Sequence, residues 1–236
     1  MKKILFAVIA IVVGVTSSAF AQKLAEPKLV GTWYGGEDFG EFIYHKIEEM
    51  NFSYLKDNPN GKMVARICSN DKLPVALARS VGYASDFLRH TQYFKIPINQ
   101  IFLARSAKCV ENTKTTHSFE QYWFVPEGKT LDADEMLPID EVLVERLVVD
   151  DYDQETKAAK KQFADCTKEF IKRLKNNSEA QGFIVLTWKN KSVNRNTQEA
   201  IKQLKLESIN SNRFQIIKKK TYESHYPEFM IVTIKD

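Results

Sequence analysis

Two stretches of this chain repeat each other at a constant offset of 119 residues. Leu55, Lys56, Asp57 and Asn58, then Met63, Val64, Ala65, Arg66 and Ile67, return as Leu174, Lys175, Asn176 and Asn177, then Gly182, Phe183, Ile184, Val185 and Leu186. A duplication on this scale narrows the possible folds sharply, because each copy must be one supersecondary unit of about half the mature chain. It also predicts that the two copies order their strands and helices alike.

That order is strand, helix, strand, helix, strand, strand. In the first copy, residues 28–34 form a short apolar run with Trp33, and 41–56 carry Phe42, Ile47, Met50 and Leu55 on helical spacing. Asn58, Pro59, Asn60 and Gly61 end that helix before a strand over 63–68. Leu73 and Pro74 open a second helix whose apolar stripe is Leu77, Val81, Ala84, Phe87 and Leu88. Strands follow over 100–104 and 119–125, separated by a polar loop over 108–118. The second copy runs through 141–149, 160–175, 182–188 and 197–206 and ends on 228–234. Within it, residues 209–214 parallel residues 96–101. Residues 128–140, with Gly128, Pro138 and several acidic side chains, have the composition of a surface linker. The expected domains are therefore 22–127 and 141–236, each closed around its own interior.

The first twenty-one residues read as an export signal. Lys2 and Lys3 precede an apolar run over 4–15, and Ala19, Phe20 and Ala21 supply the small-x-small pattern that a signal peptidase cuts after. The apolar run is short for a membrane span, and no later segment reaches that length. The expected mature protein is exported, to the periplasm or beyond, without a membrane span. The leader holds two lysines and no acidic residue, so the formal net charge of +4 falls to +2 on its removal. Such near balance, with one tight basic cluster at Lys218, Lys219 and Lys220, argues against a nucleic-acid partner.

Cysteines in an oxidising compartment tend to pair. Cys68 and Cys109 each follow a strand-like run, and two parallel strands of a βαβ unit end on the same sheet edge. They are the expected disulfide, which leaves Cys166 as a buried thiol in a helix. The cysteine and histidine spacings give no metal pattern, and no cofactor is expected. His117, Ser118 and Glu120 have the residue types of a hydrolase triad but adjoin in sequence, whereas triads are assembled from separate elements. Asp38, Glu41, Glu48 and Glu49 read as a solvated helix face rather than a glycosidase pair.

Three places carry a family likeness: Leu55 through Val64 at the helix end, Asp86, Phe87 and Leu88 in the second helix, and the turn from Ile96 to Phe102. Together with the element order, they resemble the OmpA-like C-terminal domain, a periplasmic module that binds peptidoglycan. The resemblance implies an α+β fold of two tandem β-α-β-α-β-β units, each a mixed sheet with helices packed on one face. It also implies an envelope-binding protein, not an enzyme, that recognises cell-wall glycan or peptide. The family follows its second strand with a Thr-Asp and Gly segment and sets an Arg in the next helix. Here those places hold Ser69, Asn70 and Asp71, with Arg79 one position out of register.

Ligands of open α/β sheets collect where parallel strands end. The candidate ligand-binding residues there are Ser69, Asn70, Arg79 and Arg105 in the first copy, and Asn190, Arg195 and Lys218 in the second. An arginine at such an edge can hold a carboxylate by paired hydrogen bonds. Two other functions stay open at this level: a protein–protein module, which would expose an apolar patch or strand edge, and a secreted hydrolase, which would cluster ionisable groups in a cleft. Intact-mass analysis of the exported protein should give a chain beginning at Gln22; one that keeps residues 1–21 contradicts the leader.

Overall fold

The computed structural model describes residues 24–34, 38–80, 83–111, 119–149, 156–187, 191–219 and 227–235. The leader, Trp188, Asn190, His117, Ser118, His225 and Lys220 lie outside the described residues. The first half contributes β1 (Lys28–Trp33), α1 (Phe39–Met50), a π-helical turn (Asn51–Leu55), β2 (Lys62–Cys68), α2 (Leu73–Arg79) and α3 (Tyr83–Tyr93). Then come β3 (Ile101–Ser106), α4 (Lys108–Glu111), β4 (Phe119–Val125) and β5 (Glu135–Pro138). The second half contributes β6 (Val142–Val148), α5 (Lys157–Asn176), β7 (Gln181–Thr187), α6 (Lys191–Leu206), β8 (Phe214–Lys219) and β9 (Glu228–Ile234). The fold is α+β, as expected.

The strands form two mixed sheets, ordered β1-β4-β2-β3-β5 and β6-β9-β7-β8. In each, one pair is parallel (β2 with β3, β7 with β8), and one strand, β4 or β9, inserts antiparallel between the unit's first and second strands. The equivalence extends to single residues. Met63 pairs with Ile101 and Gly182 with Phe214, so the offset of 119 from β2 to β7 becomes 113 from β3 to β8. At the ends of α3 and α6, Lys95 and Ser208 both take positive φ, 57° and 60°. The turns they make are the same: Ile96 N–H donates to Thr91 and Lys95 N–H to Gln92, as Ile209 N–H does to Leu204 and Ser208 N–H to Lys205. This is the paired hydrogen bonding of a Schellman cap. Farther on, the side chain of Gln100 donates to the Pro59 carbonyl, and the equivalent Arg213 donates to the Ala180 carbonyl at 2.9 Å.

The first helices follow the same rule with one exception. Ile43, Ile47 and Met50 are buried in α1, as are Phe163, Thr167 and Phe170 in α5, an offset of 120. At Leu55 and Leu174 the offset is 119 again. The π-helical turn absorbs the difference, since a π-bulge is one extra residue in an α-helix. Side chains set the helix starts: Asp38 accepts from the Gly40 and Glu41 amides, and Thr156 from Ala159.

The two halves share part of their interior, although the second also has a cluster of its own. Strand alternation gives the second sheet two apolar faces. Ile184, Leu186, Phe229 and Ile231 face one cluster with Phe163, Phe170 and Leu174 of α5 and Ala200 and Leu204 of α6. Phe183, Val185, Ile217, Met230 and Val232 face the other way, into the cluster that also holds Met63, Ala65, Ile67, Tyr122 and Phe124 of the first sheet. Helix α2 joins the two, packing against β2 and against β7, β8 and β9. Four of its seven residues, Leu73, Ala76, Leu77 and Ala78, are buried. The second sheet thus carries helices on both faces, not on one.

Three local expectations change. Residues 128–140 are not a free linker: Glu135–Pro138 pairs with β3 as an edge strand, and Ile139 is buried in the shared core. The second helix of the first copy is two helices, with α2 turned toward the other sheet. Within the polar loop over 108–118, Lys108–Glu111 forms α4. One glycine is fixed by packing. A Cβ at Gly182 would lie 2.4 Å from Phe170 Cζ and 2.9 Å from Leu174 Cδ1, both in fully buried side chains. Gly182→Ala should therefore lower stability by roughly 1–3 kcal/mol in urea unfolding, through overpacking. An unchanged midpoint would contradict this close approach.

Candidate functional site

The sheet edge where β2 and β3 end brings the first-copy candidates together. Cys68, the last residue of β2, is disulfide-bonded to Cys109 in α4, with Cα atoms 5.5 Å apart. Cys166, expected to be buried, is half-buried in α5, where its thiol faces the Val148 carbonyl at 3.8 Å. Ser69 is buried and its Oγ accepts from the Asp71 amide at 3.1 Å, shaping the turn, while Asn70 is exposed. Arg79 Nε lies 2.6 Å from Asp71 Oδ2. Arg105 is the more enclosed arginine: its Nε donates to the Asp71 carbonyl at 2.7 Å and its guanidinium pairs with Asp134 at 3.1 Å.

The expected linker supplies the rest of this network. Asp134 also accepts from the Ala107 amide at 2.6 Å, Asp132 pairs with Lys108 at 2.9 Å, and Glu135 accepts from the Leu73 amide at the start of α2. Arg66 donates to Gln121 and to the Asp132 carbonyl and lies 4.8 Å from the Trp123 ring. Burial lowers its pKa from the ordinary arginine value, with Asp132 pulling the other way. The arginines that sequence spacing offers to a ligand carboxylate hold Asp71 and Asp134 instead. Seen this way, the edge is a clasp that fastens the segment 132–135 to the sheet. In the second copy, Lys218 is exposed on β8 and Arg195 falls in the first turns of α6, with its side chain, like Asn190, outside the described residues.

A different surface gathers side chains that the sequence reading did not single out. Across the outer seam between α1 and α3, the Tyr44 ring meets His90 at 6.0 Å, Tyr93 at 5.9 Å and Phe94 at 5.2 Å between centroids. His45 adjoins Tyr44 at 5.6 Å, and Phe52 meets Phe94 edge-on at 6.2 Å. Phe52 and Tyr93 remain 64% and 69% exposed, far more than a core aromatic. The π-helical turn explains the placement. Its extra residue leaves Phe52 in solvent, while Tyr54 stacks on Phe124 at 5.5 Å. The available sequence signal was aromatics at 44, 52, 93 and 94 on otherwise polar helix faces.

Charged and polar groups rim the patch: Glu48, Asp86 with Arg89 at 3.1 Å, and the two histidines. Burial, then Tyr93 and Glu48, raises the Tyr44 pKa above the ordinary tyrosine value. Burial and then Arg89 hold His90 below the ordinary histidine value, against an upward pull from Asp86. Among the described residues, no group of three or more His, Cys, Asp or Glu is placed to hold a metal, and no helix is long and apolar enough to cross a membrane. No model of a known protein family matches the chain, and no curated protein is significantly similar to it. The class defined by the structure is an α+β protein of two equivalent β-α-β-α-β-β units, one of which bears an exposed aromatic face.

The His90 shift has a sign that can be tested. A histidine whose folded pKa is depressed takes up its proton first in the unfolded chain, so stability falls as pH drops through the unfolded value. His90→Gln should reduce the loss of stability between about pH 7 and pH 5, read as urea midpoints. An equal loss in wild type and variant would mean that His90 is not held neutral by its surroundings.

Proposed function

We propose that this is an exported binding protein of the cell envelope that acts without catalysis and recognises cell-wall glycan through its first unit. The reading is carried by one observation, the aromatic face on which Phe52 and Tyr93 stand exposed beside the half-buried Tyr44 and Phe94. Sugar rings present C–H faces that pack on aromatic rings, and their hydroxyl groups need hydrogen-bond partners beside that contact. The patch offers both, with the exposed rings of Phe52 and Tyr93 and with His45, Glu48, Asp86 and Arg89 around them. The disulfide is consistent with the oxidising compartment that export implies. The resemblance to peptidoglycan-binding modules agrees with this choice of ligand. The contact surface differs from the one suggested by strand ends, because Arg79 and Arg105 are engaged within the protein.

A protein partner is the second reading. It is favoured by the exposure of Phe52, which has no polar atom to offer a sugar, and by the general role of exposed apolar patches in protein association. Sedimentation with purified sacculi separates the two. Wild type should be retained, Arg79→Ala should behave like wild type, and Phe52→Ser with Tyr93→Ser should lose at least about ten-fold in apparent affinity, on the scale of hot-spot aromatics. Failure of wild type to sediment with sacculi would overturn the glycan reading.

A further inference from the structure

The two units differ most at one equivalent place, the seam between their paired helices. In the first unit, Tyr44 of α1 and Phe94 beyond α3 fill this seam with rings 5.2 Å apart, over Ile47 and Phe87. The helix offsets of 120 and 113 put Ala164, Thr167, Ala200 and Glu207 at the corresponding positions of the second unit. Ala164, Thr167 and Ala200 are smaller than Tyr44, Ile47 and Phe87, and a groove of about 600 Å³ lies between α5 and α6. This volume lies within the roughly 300–1,000 Å³ of ordinary small-molecule sites.

The floor of the groove is apolar, with Phe163, Ala164, Ile171 and Ala200. Its rim is cationic: Lys160, Lys168, Lys172 and Lys175, against the carboxylates Glu199 and Glu207. Lys175 pairs with Glu207, and Lys172 with Glu169 at 3.7 Å. Lys160 and Lys168 have no carboxylate within ion-pair distance among the described residues. From Lys160 to Lys175, α5 rises about 22 Å at 1.5 Å per residue, so the groove is long.

We propose that the α5–α6 groove binds a single-chain anionic amphiphile, with its chain along Phe163, Ala164, Ile171 and Ala200 and its head group at the lysine rim. An apolar trough alone would accept any greasy chain. The excess of lysines selects an anionic head. Carboxylate and phosphate head groups share this chemistry. The site lies on the other unit from the aromatic face, and its occupancy is independent of glycan binding.

Isothermal titration of the full mature chain with dodecanoate and with dodecyl phosphate, each below its micellar concentration, tests the site. Dodecyl maltoside and dodecyltrimethylammonium serve as uncharged and cationic controls. Saturable one-to-one binding is expected for one or both anions, and which of them binds identifies the head group; both controls should bind at least about ten-fold more weakly. Lys160→Glu with Lys168→Glu should weaken the anion by a similar factor. Ala164→Tyr with Ala200→Phe, which installs the first unit's side chains, should abolish binding. Circular dichroism checks that this variant is folded, and the lysine variant, changed only at exposed positions, keeps the proposal testable if it is not. Absence of saturable binding for both anions overturns the site. So does equal affinity for the uncharged amphiphile, or wild-type affinity in either double variant.

Discussion

Helix α2 is the contact on which the arrangement of this protein depends. It belongs by sequence to the first unit, yet it packs against three strands of the second. A mixed sheet with helices on one side would present Phe183, Val185, Met230 and Val232 to water. Burying four such side chains is worth roughly 1.5–3 kcal/mol each by area transfer. That gain joins the two repeated units through one shared cluster, beside a cluster made by the second unit alone, with the small residues Ala76 and Ala78 letting α2 approach. The clasp of Asp132, Asp134 and Glu135 supports the same arrangement, because Glu135 accepts the amide at the start of α2 while Asp134 holds Arg105.

Duplication has preserved backbone devices more closely than side chains. The helix-to-strand turns keep their hydrogen bonds although Lys95 became Ser208 and Gln100 became Arg213. These positions fix the angle at which a helix leaves and a strand begins. The outer helix seams had no such duty and diverged. One carries a π-helical turn and an aromatic face; the other has smaller side chains and a row of lysines. Two recognition surfaces of opposite character thus stand on a common scaffold.

The repeat and the element order were legible because strand alternation, helical periodicity and Pro or Gly stops are local signals. Even the disulfide could be read, since it follows from two parallel strands ending at one edge. The shared core was not. The run from Phe183 to Leu186 is apolar at every position, which marks a strand buried on both faces without naming the element that covers the second face. The break between α2 and α3 was hidden because Leu77, Ala84 and Phe87 keep helical spacing across it and all join the same cluster. The strand β5 was masked by acidic residues that turn out to be clasp ligands. For the same reason the arginine edge looked available: nothing local reveals that Asp71 and Asp134 reach it. The aromatic face was missed because each of its rings, taken singly, resembles a core residue.

Native-state hydrogen exchange of wild type and Leu77→Ala tests the shared core most directly. Large-to-small truncation at a buried leucine costs about 2–5 kcal/mol. If the interior is continuous, the most protected amides of Ala65 and Ile67 in β2 and of Ile184 and Val185 in β7 share one opening free energy, and the variant lowers all of them together. Protection lost in β2 alone, with β7 unchanged, would mean two independent interiors and would contradict this account.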